Sequence, residues 1–346
     1  MVVRVYLKQA WNLMKQNPLF STLYIVGTGI SIVMTMVIAI VYYVRLAPVY
    51  PETNRMRTLV VKSAKMTNDE STHSSNISYA MLKDWFYSLE SAEVSTGVSG
   101  TSYARVTNDK EEIPTYARYT DENFFRVFPL VFLEGKPFTE ADRRSGIHNV
   151  VLTDSYAQQL FGTTKGVVGK NFLMDYTNVK VVGVVKSGSF LTPDSYAQVY
   201  LPYSCRDGYD DEGSHWALGG YRVYILMKES KSVTDVQDEV LELVRKFNVS
   251  DMGDGWKLDL VGQPELYWHS TFRLWSNVAV DWGRVIWMFV GIFMVLLFVP
   301  AFNLSGMISA RMERQLPDLG IRKAFGASRR RLLVQIIWEN LLLTGL

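Results

Sequence analysis

The chain has 346 residues, of which 36 are basic and 34 acidic, with 48% hydrophobic and 20% charged side chains. A net charge of +2 with no basic, aromatic-interleaved stretch argues against nucleic acid as a partner. The single Cys205 excludes an internal disulfide framework, and His73, His148, His215 and His269 are too scattered for a local metal motif, so no cofactor or metal is expected.

Residues 1–18 place Val3, Leu7, Trp11 and Met14 at helical spacing opposite Arg4, Lys8, Asn12 and Lys15, with Asn17-Pro18 as a stop. That pattern predicts a cytoplasmic amphipathic helix lying on the membrane surface, or a plain helical stub. From Leu19 to Val44 there are 26 uncharged residues. The run exceeds the roughly 20 residues that span a bilayer, is too long for the apolar core of a signal peptide, and no A-x-A-like site follows it. A retained transmembrane helix over 19–44 is expected.

The stretch from Arg45 to Arg284 carries 26 basic and 31 acidic side chains, whereas residues 1–18 have Arg4, Lys8 and Lys15 with no acid. Positive-inside bias sends 45–284 across the membrane. Tyr42, Tyr43 and Tyr50 after the first apolar run, and Trp282 and Trp287 at the start of the second, suit the headgroup level.

Within 45–284, Thr58–Lys62 reads as a strand and Ser78 as the cap of a helix whose face is Met81, Leu82, Trp85, Phe86 and Leu89. Glu93–Val98 returns as a strand. Asn149–Leu152 (strand), Asp154 or Ser155 (cap), Ala157–Phe161 (helix) and Gly162 (stop) form one unit, and Val179–Val185 follows as a buried strand. Tyr221–Met227 is another strand, after which Thr234 and Gln237 read as a capping box opening a helix with Val236, Val240, Leu243, Val244 and Phe247 on one side. Strand–helix–strand units at both ends, with a strand-rich middle from roughly 112 to 205, predict a split α+β domain carrying an inserted subdomain.

Chemistry-bearing motifs are near-misses. Thr164–Asn171 imitates a phosphate-binding loop but has Thr164 where glycine must stand and Asn171 where a magnesium-binding hydroxyl must stand, so a turn between helix and strand is expected. Asp207, Asp210, Asp211 and Glu212 lack the alternating spacing of a calcium loop. No Gly-x-Ser-x-Gly or His-Glu-x-x-His occurs, and Cys205 has no established base beside it. No enzyme activity is expected of the chain alone.

The second apolar run extends from Val285 to Ala310 over 26 uncharged residues, and a transmembrane helix is expected over 285–307. The cytoplasmic loop 308–331 then carries Arg311, Arg314, Arg322, Lys323 and Arg329-Arg330-Arg331 against Glu313 and Asp318. Pro317 is expected to break any helix continuing from the membrane, Asp318 to open a short new one, Gly326 to end it and Ser328 to cap the next. A short transverse helix of this kind fits a groove on a partner; an ordinary basic loop is the other reading of the same residues.

The run Asp318-Leu319-Gly320-Ile321-Arg322-Lys323-Ala324-Phe325-Gly326-Ala327-Ser328, with Glu339-Asn340-Leu341-Leu342-Leu343, resembles the signature of the FtsX-like permease domain. Independently, Phe124-Phe125-Arg126-Val127-Phe128, Leu133-Glu134-Gly135-Lys136-Pro137-Phe138, Asn149–Ala157, Val181-Val182-Gly183-Val184 and Val199-Tyr200-Leu201-Pro202 are similar to the MacB-like periplasmic core domain. The resemblance implies a multi-pass permease subunit of an ABC transporter of the MacB, LolC/LolE and FtsX type in the bacterial inner membrane. It implies a homo- or heterodimer, a separate cytoplasmic ABC ATPase subunit bound through the short helix, and a periplasmic adaptor where the system is an efflux pump. Residues carried over for ATPase coupling are Asp318, Gly320, Ile321, Arg322, Lys323, Ala324, Gly326 and Ala327. The sequence departs from the family pattern in having Asp318 where Glu is commoner, with Pro317 before it. Residues 332–346 read as the start of a third transmembrane helix that is cut short, with Glu339 inside it. A two-span extracytoplasmic sensor is the alternative, disfavoured because a basic loop and a further apolar segment follow the second run where a coiled coil or signalling domain is expected.

Overall fold

The computed structural model describes residues 18–100, 102–108, 111–206, 208–209, 216–250, 255–330 and 332–333. The expected amphipathic segment 1–17, the acids Asp207, Asp210, Asp211 and Glu212, and Glu339 lie outside the described residues. The chain divides into two units, Met1–Ile40 with Trp282–Leu346, and Val41–Asp281.

Helix α1 (Pro18–Leu46) contains Gly29–Leu46, a stretch of 18 residues with mean hydropathy 2.0 of which only 6% is buried. Apolar side chains lie on every side of this helix, and Val33, Met36 and Ile40 are all more than half exposed, which is the pattern of a membrane span. Among the described residues this is the one stretch long and apolar enough to cross a membrane.

The Val41–Asp281 unit, expected from the sequence to lie outside the membrane and called the outer unit for that reason, begins with β1 (Thr58–Val61), β2 (Ala64–Thr67), β3 (Thr72–Ile77), α2 (Tyr79–Asp84) and β4 (Ala92–Ser99). An inserted run follows: β5 (Ser102–Asn108), β6 (Glu111–Thr120), α3 (Phe124–Val127), β7 (Phe132–Gly135), α4 (Glu140–Arg144), β8 (Asn149–Thr153), α5 (Asp154–Phe161), β9 (Asn171–Met174), β10 (Thr177–Val185) and β11 (Val199–Pro202). The first sheet is completed by β12 (Leu218–Gly219), β13 (Tyr221–Met227), α6 (Val233–Val249), β14 (Lys257–Asp259) and β15 (Glu265–Leu266). Its order is β14-β2-β3-β13-β1-β15, with β4 on β13 and β12 on β3. The inserted sheet runs β7-β10-β8-β11-β6-β5-β9, and β9 also pairs with β10, which closes a small barrel with β7 on its outside.

Both faces of the first sheet are buried, which explains why β1 and β13 are apolar almost throughout. Leu59, Val61, Val223 and Ile225 point to one side and pack with Met81, Leu82 and Phe86 around α2 and with Val236, Val240 and Phe247 of α6. Val60, Tyr224 and Leu226 point to the other and meet Phe124, Phe128 and Tyr200 of the inserted subdomain. A third core fills the barrel, where Ala104, Val106, Val150, Val181 and Val199 surround Tyr156, Ala157 and Leu160 of α5.

The insertion is therefore present, but its sheet starts at Ser102 and not near 112. Strand β5 leaves a weak sequence signal because its inward residues are only Ala104 and Val106, while Tyr103 faces solvent. The strand Tyr221–Met227 and the glycine stop at Gly162, with φ 72°, match expectation. Two caps differ. Thr153, not Asp154 or Ser155, caps α5 by accepting from the Tyr156 N–H, and α6 opens on the capping box Ser232/Asp235 rather than Thr234/Gln237. Asp235 reaches back to the Ser232 N–H, which leaves the Gln237 amide free to donate to the Pro264 carbonyl at 2.8 Å. Helix α2 stops at Asp84 because the Ser88 hydroxyl donates to the carbonyls of Asp84 and Trp85.

The largest correction concerns Pro317. Helix α7 (Trp282–Ala324) runs unbroken for 43 residues, straight through it. Proline removes one N–H and costs a helix interior about 3 kcal/mol, yet the helix continues on both sides of it, with the strong helix formers Met312-Glu313-Arg314-Gln315-Leu316 before it. No separate short helix forms between Pro317 and Gly326. Within the described part of α7 the apolar stretch is Trp282–Phe298.

Candidate functional site

The residues expected to couple to a partner occupy the last two turns of α7 and its cap. Asp318, Gly320, Ile321, Arg322, Lys323 and Ala324 are helical, the Phe325 N–H donates to the Ile321 carbonyl, and Gly326 ends the helix in the left-handed region at φ 89°. That conformation is what makes glycine fitting there. Ala327 is half-buried, and a new helical turn starts directly after Ser328, as expected. Asp318, Ile321, Arg322 and Phe325 fall at i, i+3, i+4 and i+7, one face of the helix. Ile321 and Phe325 on that face are 56% and 89% exposed. Two exposed apolar anchors one turn apart are what a helix presents to a groove.

A second constellation sits where the outer unit receives α1. The Glu52 carboxylate pairs with Arg55, which is buried with it, and accepts from the Ser195 hydroxyl at 2.7 Å. The Arg55 guanidinium also donates to the Val44 carbonyl in the last turn of α1 and to the Ala47 carbonyl just past its end, and lies 5.4 Å over the Tyr267 ring. Burial raises the Glu52 carboxyl, opposed by Arg55.

Ser195 belongs to the loop joining β10 to β11, and that loop is held from every side. Asp194 accepts from Lys62 at 3.3 Å and from Arg222 at 3.0 Å. Burial alone would raise the Asp194 carboxyl, but Lys62, Arg222 and Arg118 overcome it and hold it well below the carboxylate range. Arg118, 2% exposed, donates to the carbonyls of Pro193, Tyr196 and Ser99, and the Tyr200 hydroxyl donates to the Ser195 carbonyl. One network thus joins the end of α1, the residue following β1 (Lys62), strand β13 (Arg222) and a loop of the inserted barrel.

Sequence reasoning missed this network. Glu52 and Arg55 lie more than a hundred residues from Ser195, and nothing local pairs them. The available signal was a pair of charges within ten residues of an apolar span, in a turn with two flanking aromatic or proline residues.

The near-miss motifs are structural. Residues 163–170 form turns between α5 and β9, as expected, and the Cys205 thiol is pushed up by burial to about 12, with Ile147 O at 3.7 Å, so it is a poor nucleophile. The motif glycines Gly135 and Gly183 are register partners between β7 and β10. A Cβ at Gly183 would lie 2.6 Å from the Lys136 carbonyl, so that glycine serves strand packing and not a ligand.

A family profile described as MacB-like periplasmic core domain matches residues 20–243. The chain is 24% identical over 241 residues to the pyoverdine export ATP-binding/permease protein PvdT of Pseudomonas fluorescens, covering 66% of this chain and 33% of that protein. It is 21% identical over 239 residues to the macrolide export ATP-binding/permease protein MacB of Escherichia coli K12, covering 69% and 34% respectively. The chain spans about a third of the length of these relatives. Among solved structures, the periplasmic region of MacB from Actinobacillus actinomycetemcomitans aligns at 17% identity over 57% of this chain and 88% of that one, with a TM-score of 0.41.

Proposed function

Because the chain belongs to the MacB-like periplasmic core domain family, we propose that it is a permease subunit of an ABC transporter, without ATPase activity of its own. In this reading 19–44 and 285–307 cross the bacterial inner membrane, 45–284 lie outside, and 308–331 face the cytoplasm. The end of α7 docks on a separate ATPase subunit, and nucleotide-driven closure of a permease dimer is transmitted through the spans to the outer domain. Two relatives carry export of pyoverdine or of macrolides in their names, which supports export of a bulky compound as the transported class, with a periplasmic adaptor as further partner.

The observation that carries the coupling part is the exposed pair Ile321 and Phe325 on the face that also holds Asp318 and Arg322, at the basic end of α7. Gly320 offers a clean test, since a Cβ there meets nothing within 4 Å. With the chain expressed alongside its neighbouring genes and purified from solubilised membranes, vanadate-sensitive ATP hydrolysis should co-purify with the native protein. Gly320→Trp, and separately Arg322→Glu with Lys323→Glu, should keep normal membrane levels and lose at least tenfold of that activity. Undiminished co-purification in both variants contradicts the assignment.

A further inference from the structure

Large exposed aromatic residues scattered singly need no explanation, but two of them flank one place, the point where α1 enters the outer unit. Phe190 is 73% exposed and Trp275, beside the 63% exposed Leu274, is 67% exposed.

Phe190 is tied to the α1 exit through the segment that follows it. The Tyr50 hydroxyl donates to the Lys186 carbonyl at 2.8 Å and accepts from the Val131 N–H, the Lys186 ammonium lies 5.6 Å over the Tyr50 ring, and a Cβ on Gly188 would touch Pro51 at 3.3 Å. Tyr50 stands four residues after Leu46, the last residue of α1. Four residues extend at most about 14 Å.

Trp275 is tied to the same exit through a different set of contacts. Arg273 pairs with Glu265 and donates to the carbonyls of Val261 and Val278, which fixes the 273–278 loop. Glu265 is the register partner of Val60, and the Tyr267 N–H donates to the Thr58 carbonyl. The Tyr267 ring lies under Arg55, which donates to the Val44 carbonyl in the last turn of α1 and to the Ala47 carbonyl just past it. Seven residues after Trp275 the chain starts α7 at Trp282.

We propose that Phe190 on one loop and Leu274-Trp275 on the other form a membrane-facing rim that sits in the headgroup layer of the bilayer crossed by the chain's own helices. Aromatic side chains are favoured there because the ring is apolar and its edge stays wet, and the interfacial layer is about 5–7 Å deep on each side of the hydrocarbon. The rim sets the height of the Ser195 loop above the membrane, since Phe190 and Ser195 share that loop. The inference rests on the membrane reading of α1. The molecule also supplies its own control: Tyr176, 85% exposed, precedes the nine-residue β10 whose other end leads to Lys186, about 30 Å away along the strand.

The test uses the full chain in vesicles of equal parts phosphatidylcholine and phosphatidylglycerol. In a Cys205→Ser background, Phe190→Cys, Trp275→Cys, Tyr176→Cys and Met36→Cys are each labelled with a nitroxide, and relaxation by oxygen is compared with relaxation by a water-soluble nickel complex. Positions 190 and 275 should be relaxed more by oxygen, as an interfacial site is, position 176 more by nickel, and position 36 should be the deepest. If 190 and 275 match 176, or are shielded from both reagents as beneath a second protein surface, the rim proposal is overturned while a deep reading at 36 still upholds the span. An aqueous reading at 36 overturns the membrane reading itself.

Discussion

Arg55 does two jobs with one side chain: it neutralises the buried Glu52 and donates to the Val44 carbonyl in the last turn of α1 and to the Ala47 carbonyl just past it. Arg55→Met removes both, stranding Glu52 with Ser195 as its remaining partner, and should cost about 3–5 kcal/mol, the usual penalty for leaving one member of a buried pair uncompensated. Adding Glu52→Gln removes the stranded charge, so the double variant should be less destabilised than the sum of the two single ones. Denaturant unfolding of the purified chain in detergent measures this cycle, and strictly additive effects would show that the two residues are not coupled. At this scale the sequence was least informative. Hydrophobic periodicity reports which face of an element is buried, whereas Glu52, Arg55 and Ser195 lie in turns and are brought together only by the insertion folding back on the first sheet.

Among the elements, the joint between β4 and α3 carries a carboxyl with a titration of its own. Asp121 accepts from Tyr87, Thr96 and the N–H groups of Gly97 and Phe124, yet burial pushes it up to about 6 against those donors. An ordinary unfolded aspartate titrates near 3.9, so between about pH 4 and about pH 6 the native state holds more protons than the unfolded state, and stability falls as pH rises through that window. Two pK units correspond to about 3 kcal/mol. Asp121→Asn abolishes this component, so the stability advantage of the native protein over the variant should shrink by about 3 kcal/mol between about pH 4 and about pH 7, measured by denaturant melts at each pH. A constant difference would place the Asp121 titration elsewhere.

The elements themselves were legible where packing follows a simple period: Tyr221–Met227, buried on both faces, and α6, with its one apolar stripe, were read directly. Boundaries were less legible because adjacent hydroxyls compete for a cap. Ser232 with Asp235 prevails over Thr234 with Gln237 by supplying a charged acceptor to the Ser232 N–H. Pro317 is a case where the local signal does not decide the outcome, since its penalty of about 3 kcal/mol does not break α7.

For the molecule as a whole, the split domain with its insertion was visible in the order of strand and helix signals, while the closure of the inserted sheet into a barrel was not, because it depends on β9 pairing with both β5 and β10. The motif glycines and aromatic runs that carried the family resemblance turn out to build the core: Gly135 against Gly183, and Phe124, Phe125 and Phe128 against Tyr200 and Tyr224. Phe124, Phe125 and Phe128, being buried, serve the fold and carry no information about a ligand. The proposed machine needs a signal to travel from the end of α7 to that domain, and the pinned 187–198 loop, tied to α1 through Ser195, Glu52 and Arg55, is where its arrival should register.

Amide hydrogen exchange of peptides across 187–198 tests this most directly, in the complex reconstituted with its ATPase, with and without ATP and vanadate. The native complex should show a nucleotide-dependent change in exchange over that loop, and Gly320→Trp should abolish it while leaving the nucleotide-free exchange pattern of the outer domain unchanged. Exchange that is identical with and without nucleotide throughout the outer domain of the native complex would contradict coupling through this chain.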